Sequence, residues 1–85
     1  MIGGEVVETL AQGDRLWVNC EDHGSQCAIY LDRNGESESI TPGDSIWWHT
    51  RTAYWTRYDG AGNRVGERDV PLVKIGYSGV PRPSS

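Results

Sequence analysis

The sequence predicts an all-β fold, a small antiparallel barrel or rolled meander of about seven short strands, for which an SH3-like barrel fits the length. Three observations support this prediction. The chain has 85 residues, the size of one small domain. No stretch of about 11 residues has helical periodicity, whereas β-branched and aromatic residues recur in short runs. The 11 Gly and 4 Pro are spread along the chain, as turns between short strands require.

The first hairpin is predicted from two runs, 5–11 and 14–20, which are joined at Gln12-Gly13. Alternation along a half-buried strand puts every second side chain on the same face. The side chains that we expect to face inward are Val7, Leu16 and Val18.

A second hairpin is predicted around Asn34-Gly35, between the run 27–33 and the returning run 36–41. Asn-Gly is the strongest short hairpin signal in the chain, because both residues tolerate the positive φ angles of a type I′ turn. A two-residue turn fixes the register of the two strands. The expected cross-strand pairs are Leu31 with Glu38 and Ile29 with Ile40.

A turn at Pro42-Gly43-Asp44 leads into a third hairpin, with strands 45–49 and 52–57 around Thr50-Arg51. Three of the 4 Trp lie in this hairpin. A two-residue turn pairs Ile46 with Trp55, Trp47 with Tyr54 and Trp48 with Ala53. The apolar face, which we predict to be core, consists of Ile46, Trp48, Ala53 and Trp55. The opposite face carries Trp47, His49, Tyr54 and Thr56.

The C-terminal third contains a glycine-rich loop at 59–63 and a last strand at 70–77, where Pro71 predicts an edge strand or a strand start. We expect one β domain over residues 1–78. The Pro- and Ser-rich segment 79–85 is predicted to be a flexible tail.

The outward face of the tryptophan hairpin predicts a partner-binding site. Aromatic and Arg residues are the side chains that most often dominate binding energy, and they also stack on bases or sugars. The predicted partner-binding residues are Trp47, His49, Arg51, Tyr54 and Arg57. The alternative is that a second layer, the C-terminal strand with Val73, Ile75 and Tyr77, covers this face as part of the core.

The two Cys and two His leave three alternatives open. Structural zinc would use Cys20, His23, Cys27 and His49, because Zn²⁺ prefers four thiolate and imidazole ligands. The second alternative is a Cys20–Cys27 disulfide across a hairpin base, which needs an oxidising compartment. In the third alternative, Cys20 and Cys27 are both reduced and pack as small apolar side chains. No other cofactor is expected.

Catalysis is not expected. One nucleophilic set can be drawn, in which Cys20 or Cys27 is combined with His23 and Asp22, but neighbours in one short loop rarely reach the geometry that catalysis needs.

The charge and hydropathy of the chain exclude other classes. A net charge of −4 argues against a non-specific nucleic-acid binder. No apolar run approaches the ~20 residues of a membrane helix. The first residues, 1–5, lack the basic and apolar regions of a secretion signal, so neither membrane insertion nor secretion is expected.

The most distinctive segments are Thr-Pro-Gly-Asp-Ser-Ile-Trp-Trp at 41–48 and Ala-Tyr-Trp-Thr at 53–56. They resemble a G-D-S-x-W-W … A-Y-W-T pattern of small Trp-rich uncharacterised proteins of tailed bacteriophages and proteobacterial prophages. A looser likeness extends to 69–72 and 75–79. The resemblance implies an accessory phage product in the cytoplasm of a bacterial host, with reduced cysteines. Relatives with Gln in place of His49 argue against that residue as a zinc ligand.

We therefore expect a non-catalytic interaction protein that binds a host or phage macromolecule, most readily a protein, with inhibition of a host defence system as one such role. One alternative is a small-ligand or nucleic-acid binding barrel that uses the same face. Another is a small structural component of the virion, in which case the protein would be found in the particle. The sequence does not predict the oligomeric state.

Overall fold

A computed structural model describes residues 2–49, 52–75 and 82–83, with the backbone alone described for 71–75. The elements are β1 Ile2–Gln12, β2 Arg15–Asp22, β3 Ser25–Asp32, α1 Gly35–Glu38, β4 Ser45–His49, β5 Thr52–Tyr58 and β6 Arg64–Ile75. All strand pairs are antiparallel, in the order β1-β2-β3-β6-β5-β4, and β1 also pairs with β4 so that the sheet closes. The predicted all-β antiparallel fold is confirmed, with six strands in the described residues instead of about seven.

Alternation along the strands places one apolar side-chain set inside the closed sheet. The inward side chains of the β4–β5 hairpin are at most 4% exposed, as predicted, and so are Leu16 and Val18 of β2. The core cluster comprises Val6, Leu16, Val18, Cys20, Ile29, Leu31, Ile40, Ile46, Trp48, Ala53, Trp55 and Val70. Burial of this set supplies the main driving force for folding.

The prediction that Val7 faces inward is wrong. Val6 is 1% exposed and pairs with Cys20, whereas Val7 is 37% exposed. The register of β1 against β2 shifts between Val6 and Glu8, which makes Val7 the extra residue of a β-bulge. A bulge interrupts the alternation of faces, so the sequence pattern alone misassigned the inward residue.

The prediction of a hairpin at Asn34-Gly35 is also wrong, because the four-residue helix α1 follows Asn34. Asn34 has extended backbone (φ −149°), and its side chain accepts hydrogen bonds from the backbone N–H groups of Glu36 (3.0 Å) and Ser37 (2.9 Å). The Ser37 hydroxyl accepts from the Asn34 N–H at 3.0 Å, which completes a capping box. The chain then brings Ile40 into the core at 3% exposure.

The cross-strand pairs predicted for that hairpin change accordingly. Ile29 pairs with Val18 and Ile75, and Leu31 pairs with Leu16 and Leu72. Besides β2, the partner of β3 is therefore β6, a strand distant in sequence, and not the run 36–41.

Strand β6 begins earlier than predicted and is not an edge strand. It pairs with β5 up to Pro71 and with β3 from Leu72 onward. Pro71 lies where β6 passes from one neighbour to the other, a position at which its missing N–H is tolerated. Because 72–75 belong to the barrel wall, this part of the chain is not a second layer over the tryptophan hairpin.

The remaining loops follow the sequence signals. Gly43 has φ +98° in the turn before β4, and the N–H of Asp44 donates to the Thr41 carbonyl at 3.1 Å. The loop 59–63 closes around Asp59, whose carboxylate accepts the N–H groups of Ala61 and Asn63, both at 2.9 Å. No helix in the described residues is long and apolar enough to cross a membrane.

Several predictions fall on positions outside the described residues, namely the turn at Thr50-Arg51, the side chains of Val73 and Ile75, and Tyr77. The same holds for the predicted tail 79–85 apart from Arg82 and Pro83. The Arg82 guanidinium lies 2.9 Å from the Glu8 carboxylate of β1.

Candidate functional site

The β4–β5 hairpin carries the candidate site on its outer side. Trp47 pairs directly with Tyr54, and His49 with Thr52, in the register that the sequence predicts. Trp47 and Tyr54 are half-buried and His49 is exposed. Successive residues of a strand alternate between faces, so these side chains lie opposite the core set of the same hairpin.

Trp47 differs from the other tryptophans in its burial. Trp17, Trp48 and Trp55 are 2–4% exposed, whereas Trp47 is only half-buried. Tryptophan is large and apolar, and a small domain normally uses it to build its core. Trp47 is therefore the tryptophan available for contact with another molecule.

Residues at the end of β5 and on β6 extend this surface. Tyr58 lies four residues after Tyr54 on β5 and is 52% exposed. On β6, Arg64 pairs with Tyr58 and Asp69 pairs with Tyr54. We call the outer surface formed by Trp47, Tyr54, Tyr58, Arg64 and Glu67 the aromatic face.

Polar contacts hold Tyr54 in place within the aromatic face. Its hydroxyl donates a short hydrogen bond to the Glu67 carboxylate, and Arg64 Nη1 lies 3.5 Å from the same hydroxyl and 3.4 Å from Glu67. The hydrogen bond to Glu67 is the main reason why the pKa of Tyr54 is raised above its usual value. A ring fixed in this way loses little conformational freedom when a partner binds.

A glycine borders Trp47 on its other side. Gly3 of β1 pairs with Trp47 and has φ +152°, a backbone conformation that other residues rarely adopt. A Cβ atom on Gly3 would lie 2.1 Å from the backbone oxygen of Ile46. The two strands therefore approach closely at this point, and Gly3 itself contributes no side chain beside Trp47.

Arg57 does not belong to the aromatic face, contrary to the predicted grouping. It shares the face of Trp55, and its guanidinium carbon lies 5.1 Å from the Trp55 ring centroid. Its Nε and Nη2 donate to the two carboxylate oxygens of Asp44, both at 2.9 Å. Nη2 also donates to the Ser39 carbonyl at 2.7 Å. These contacts give Arg57 a structural role at one end of the barrel.

Asp44 is 4% exposed, and its carboxylate accepts four hydrogen bonds. Besides Arg57, Trp55 Nε1 donates to its carboxylate at 2.8 Å and the Thr41 N–H at 3.0 Å. Burial by itself would raise the pKa of Asp44, but the hydrogen bonds from Arg57, Thr41 and Trp55 together outweigh burial and lower this pKa. The turn before β4 is thereby tied to β5 through a charged group inside the protein.

The structure brings the two cysteines together and leaves the histidines apart from them. Cys20 and Cys27 are cross-strand partners with 3.7 Å between their sulfur atoms, and both are free thiols. His23 is in the exposed turn after β2, 3.5 Å from Asp22, and His49 ends β4. No group of three or more His, Cys, Asp or Glu side chains in the described residues can hold a metal ion. The four residues of the zinc alternative, Cys20, His23, Cys27 and His49, are therefore not brought together in one site.

Burial distinguishes the two thiols. Cys20 is fully buried in the core, and its thiol donates to the Cys27 carbonyl at 3.2 Å. Burial, and secondarily the neighbouring Cys27 thiol, strongly raise the pKa of Cys20. Cys27 is only half-buried, at the edge of the core. The pair is therefore a dithiol with one accessible member.

Of the predicted partner-binding residues, the structure brings Trp47, Tyr54 and His49 to one side of the hairpin and separates Arg57 from them. Arg51 lies outside the described residues. Sequence reasoning missed Tyr58, Arg64 and Glu67. Alternation from Tyr54 would have found Tyr58, whereas Arg64 and Glu67 precede the predicted start of β6.

Comparisons of the chain with protein families, with curated proteins and with solved structures gave no significant match. The aromatic face is therefore the feature of the molecule that indicates a function. Its tyrosine and tryptophan rings supply apolar contact area, and Arg64, Glu67 and Asp69 supply charged groups of both signs around them.

Proposed function

We propose that this protein is a non-catalytic accessory protein of a bacteriophage or prophage, which binds a protein of the host or the phage through the aromatic face. The observation that carries the proposal is the direct pairing of half-buried Trp47 with Tyr54 on the outer side of β4 and β5. Aromatic side chains beside an arginine are the composition typical of binding hot spots.

The charges around the rings favour a protein partner over a nucleic acid. Glu67 and Asp69 lie on the strand that borders Tyr54, and the whole chain has a net charge of −4. Nucleic-acid binding relies on cationic side chains that displace counterions from phosphates. Arg64 is already paired with Glu67, at 3.4 Å, which reduces the positive potential it can offer. A protein surface with both charge signs fits this border better.

The bacterial setting of the proposal comes from the sequence resemblance described above, and inhibition of a host defence protein is one role of this kind. The fixed Tyr54 ring supports binding without a large conformational change. Binding by a preformed surface avoids the ordering cost that a flexible loop would pay on association.

The test is affinity capture with matched variants. The tagged protein, Trp47→Ala/Tyr54→Ala and the control Tyr30→Ala are used to capture proteins from a proteobacterial host lysate. Tyr30 is a half-buried tyrosine on β3, with its hydroxyl 3.3 Å from Gln12 Oε1, so it controls for loss of an aromatic ring elsewhere. The captured protein is then purified, and its dissociation constant is measured with each variant.

We expect the double variant to weaken binding by about 30-fold or more, the effect of losing hot-spot residues worth about 2 kcal/mol. The control should stay within about threefold of the wild type. Equal binding by the double variant, with its fold intact, would contradict the proposal. Saturable, salt-dependent binding of oligonucleotides that also needs Trp47 would instead support the nucleic-acid alternative.

A further inference from the structure

Cys20 and Cys27 are directly opposed in the β2–β3 hairpin, two residue pairs before its turn. Directly opposed residues of antiparallel strands have Cα atoms about 4.5 to 5.5 Å apart. Disulfides span Cα separations of about 4.4 to 6.8 Å. The backbone of this hairpin therefore has the spacing of a disulfide already, and rotation of the side chains can close the 3.7 Å gap between the sulfur atoms.

The two thiols differ in their access to reagents. Cys20 is 0% exposed and lies in the core cluster, whereas Cys27 is half-buried and packs at its edge. A thiolate must reach a disulfide reagent directly in order to attack one of its sulfur atoms. Only Cys27 can meet a reagent from solvent while the protein is folded. Cys20 is instead placed to attack the sulfur of Cys27.

We propose that Cys20 and Cys27 form a reversible dithiol–disulfide pair, in which Cys27 reacts first with a low-molecular-weight disulfide such as oxidised glutathione. This proposal uses a different part of the molecule from the aromatic face and stands independently of it.

The reaction has two exchange steps. The Cys27 thiolate attacks one sulfur of oxidised glutathione, forms a mixed disulfide and releases one glutathione thiolate. Cys20 then gives up its proton, and its sulfur attacks the Cys27 sulfur and expels the second glutathione thiolate. The two protein thiols lose two protons and two electrons in total, and oxidised glutathione gains them as two molecules of reduced glutathione.

The hairpin keeps its register in the oxidised form, because the opposed backbone spacing already suits the bond. A cross-link within a folded hairpin restricts the unfolded chain more than the native one. The oxidised protein should therefore retain its fold and unfold at a higher urea concentration than the reduced protein.

The experiment follows the reaction of the reduced, folded protein with oxidised glutathione by intact mass and peptide mapping. Wild-type protein should pass through an adduct with one glutathione on Cys27. The final product should be the disulfide, with a mass lower than that of the reduced protein by two hydrogen atoms. Cys20→Ala should stop at the single adduct. The remaining thiol of Cys27→Ala should react at least ~10-fold more slowly than that of Cys20→Ala, because it is buried.

Circular dichroism of each variant establishes whether it folds. If Cys20→Ala does not fold, mapping of the wild-type adduct at early times decides the order, because the first glutathione must lie on Cys27. The proposal is overturned if the native wild type stays reduced under conditions that oxidise the urea-unfolded chain, if it retains two glutathiones, or if the first adduct lies on Cys20.

Discussion

Asp44 and Arg57 form a two-point ion pair in which both carboxylate oxygens accept guanidinium N–H groups at 2.9 Å. Asp44 is nearly fully buried, and the same carboxylate accepts the indole N–H of Trp55. The pair joins the turn before β4 to strand β5 at one end of the barrel. It also holds Arg57 on the side of β5 opposite to Tyr54, and thereby separates the structural charges from the aromatic face.

Replacement of Asp44 by Ala should destabilise the protein by about 2 to 3 kcal/mol, since the indole N–H of Trp55 would lose its acceptor. The Arg57 side chain remains 37% exposed, so water offsets part of the cost. Urea unfolding measures the change. The control is Glu38→Ala, which removes an exposed pair with Arg33 and should cost less than about 1 kcal/mol. Equal effects of the two variants would contradict the structural role of Asp44.

The stability of the protein should depend on Asp44 at acid pH. The pKa of Asp44 is lower in the folded protein than the unfolded value of about 3.9. Its ionised form therefore stabilises the fold fully above that value, and this contribution is lost as pH falls through the lower, folded pKa. Urea unfolding between about pH 2 and pH 6 should show a smaller acid-induced loss for Asp44→Asn than for the wild type. Parallel pH curves for the two proteins would contradict this assignment.

Substitution of Gly3 by Ala should destabilise the barrel by about 2 kcal/mol or more, because the new Cβ would collide with the backbone oxygen of Ile46 and the φ angle would be strained. Thermal unfolding measures the effect. Gly60→Ala is the matched control, since a Cβ there meets nothing within 4 Å. A neutral Gly3→Ala variant would mean that β1 and β4 do not approach closely beside Trp47.

Replacement of Asn34 by Ala should cost about 1 kcal/mol, since two N–H groups of α1 lose the side-chain oxygen that caps them. Asn34→Asp is the control, because a carboxylate can accept the same hydrogen bonds and should leave stability nearly unchanged. Chemical denaturation distinguishes the variants. If Asp were as damaging as Ala, the capping role of Asn34 would be wrong.

The sequence was most informative where local patterns decide the structure. For the tryptophan hairpin, a two-residue turn between 45–49 and 52–57 predicts the register, and the alternation of side chains between the two faces of a strand predicts which face is buried. The structure agrees with both predictions. The same alternation failed at Val7, since a bulge changes the face without a distinctive residue. At Asn34-Gly35 the turn signal competed with a capping box whose partner, Ser37, lies three residues later.

Contacts between segments that are distant in sequence account for most of the features that the sequence did not predict. Tyr54 and Arg57 are three positions apart on β5, so alternation by itself places them on opposite faces, and the predicted grouping of the two is wrong. A contact that the sequence does not show, with Asp44 of a distant turn, then determines where the guanidinium of Arg57 lies. Likewise, the pairing of β6 with β3 depends on closure of the whole sheet, which no short segment encodes. Part of the aromatic face, Arg64 and Glu67, depends on the early start of that same strand.

The central claim, that the aromatic face binds a macromolecule, is tested most directly by crosslinking in cells. Trp47 is replaced by the photoreactive aromatic residue p-benzoylphenylalanine, and Tyr30 is replaced in the same way as a control. After irradiation of host cells that express each variant, mass spectrometry identifies the attached molecule. We expect one protein to be crosslinked from position 47 and not from position 30. Crosslinking of the partner from position 30 alone would contradict it.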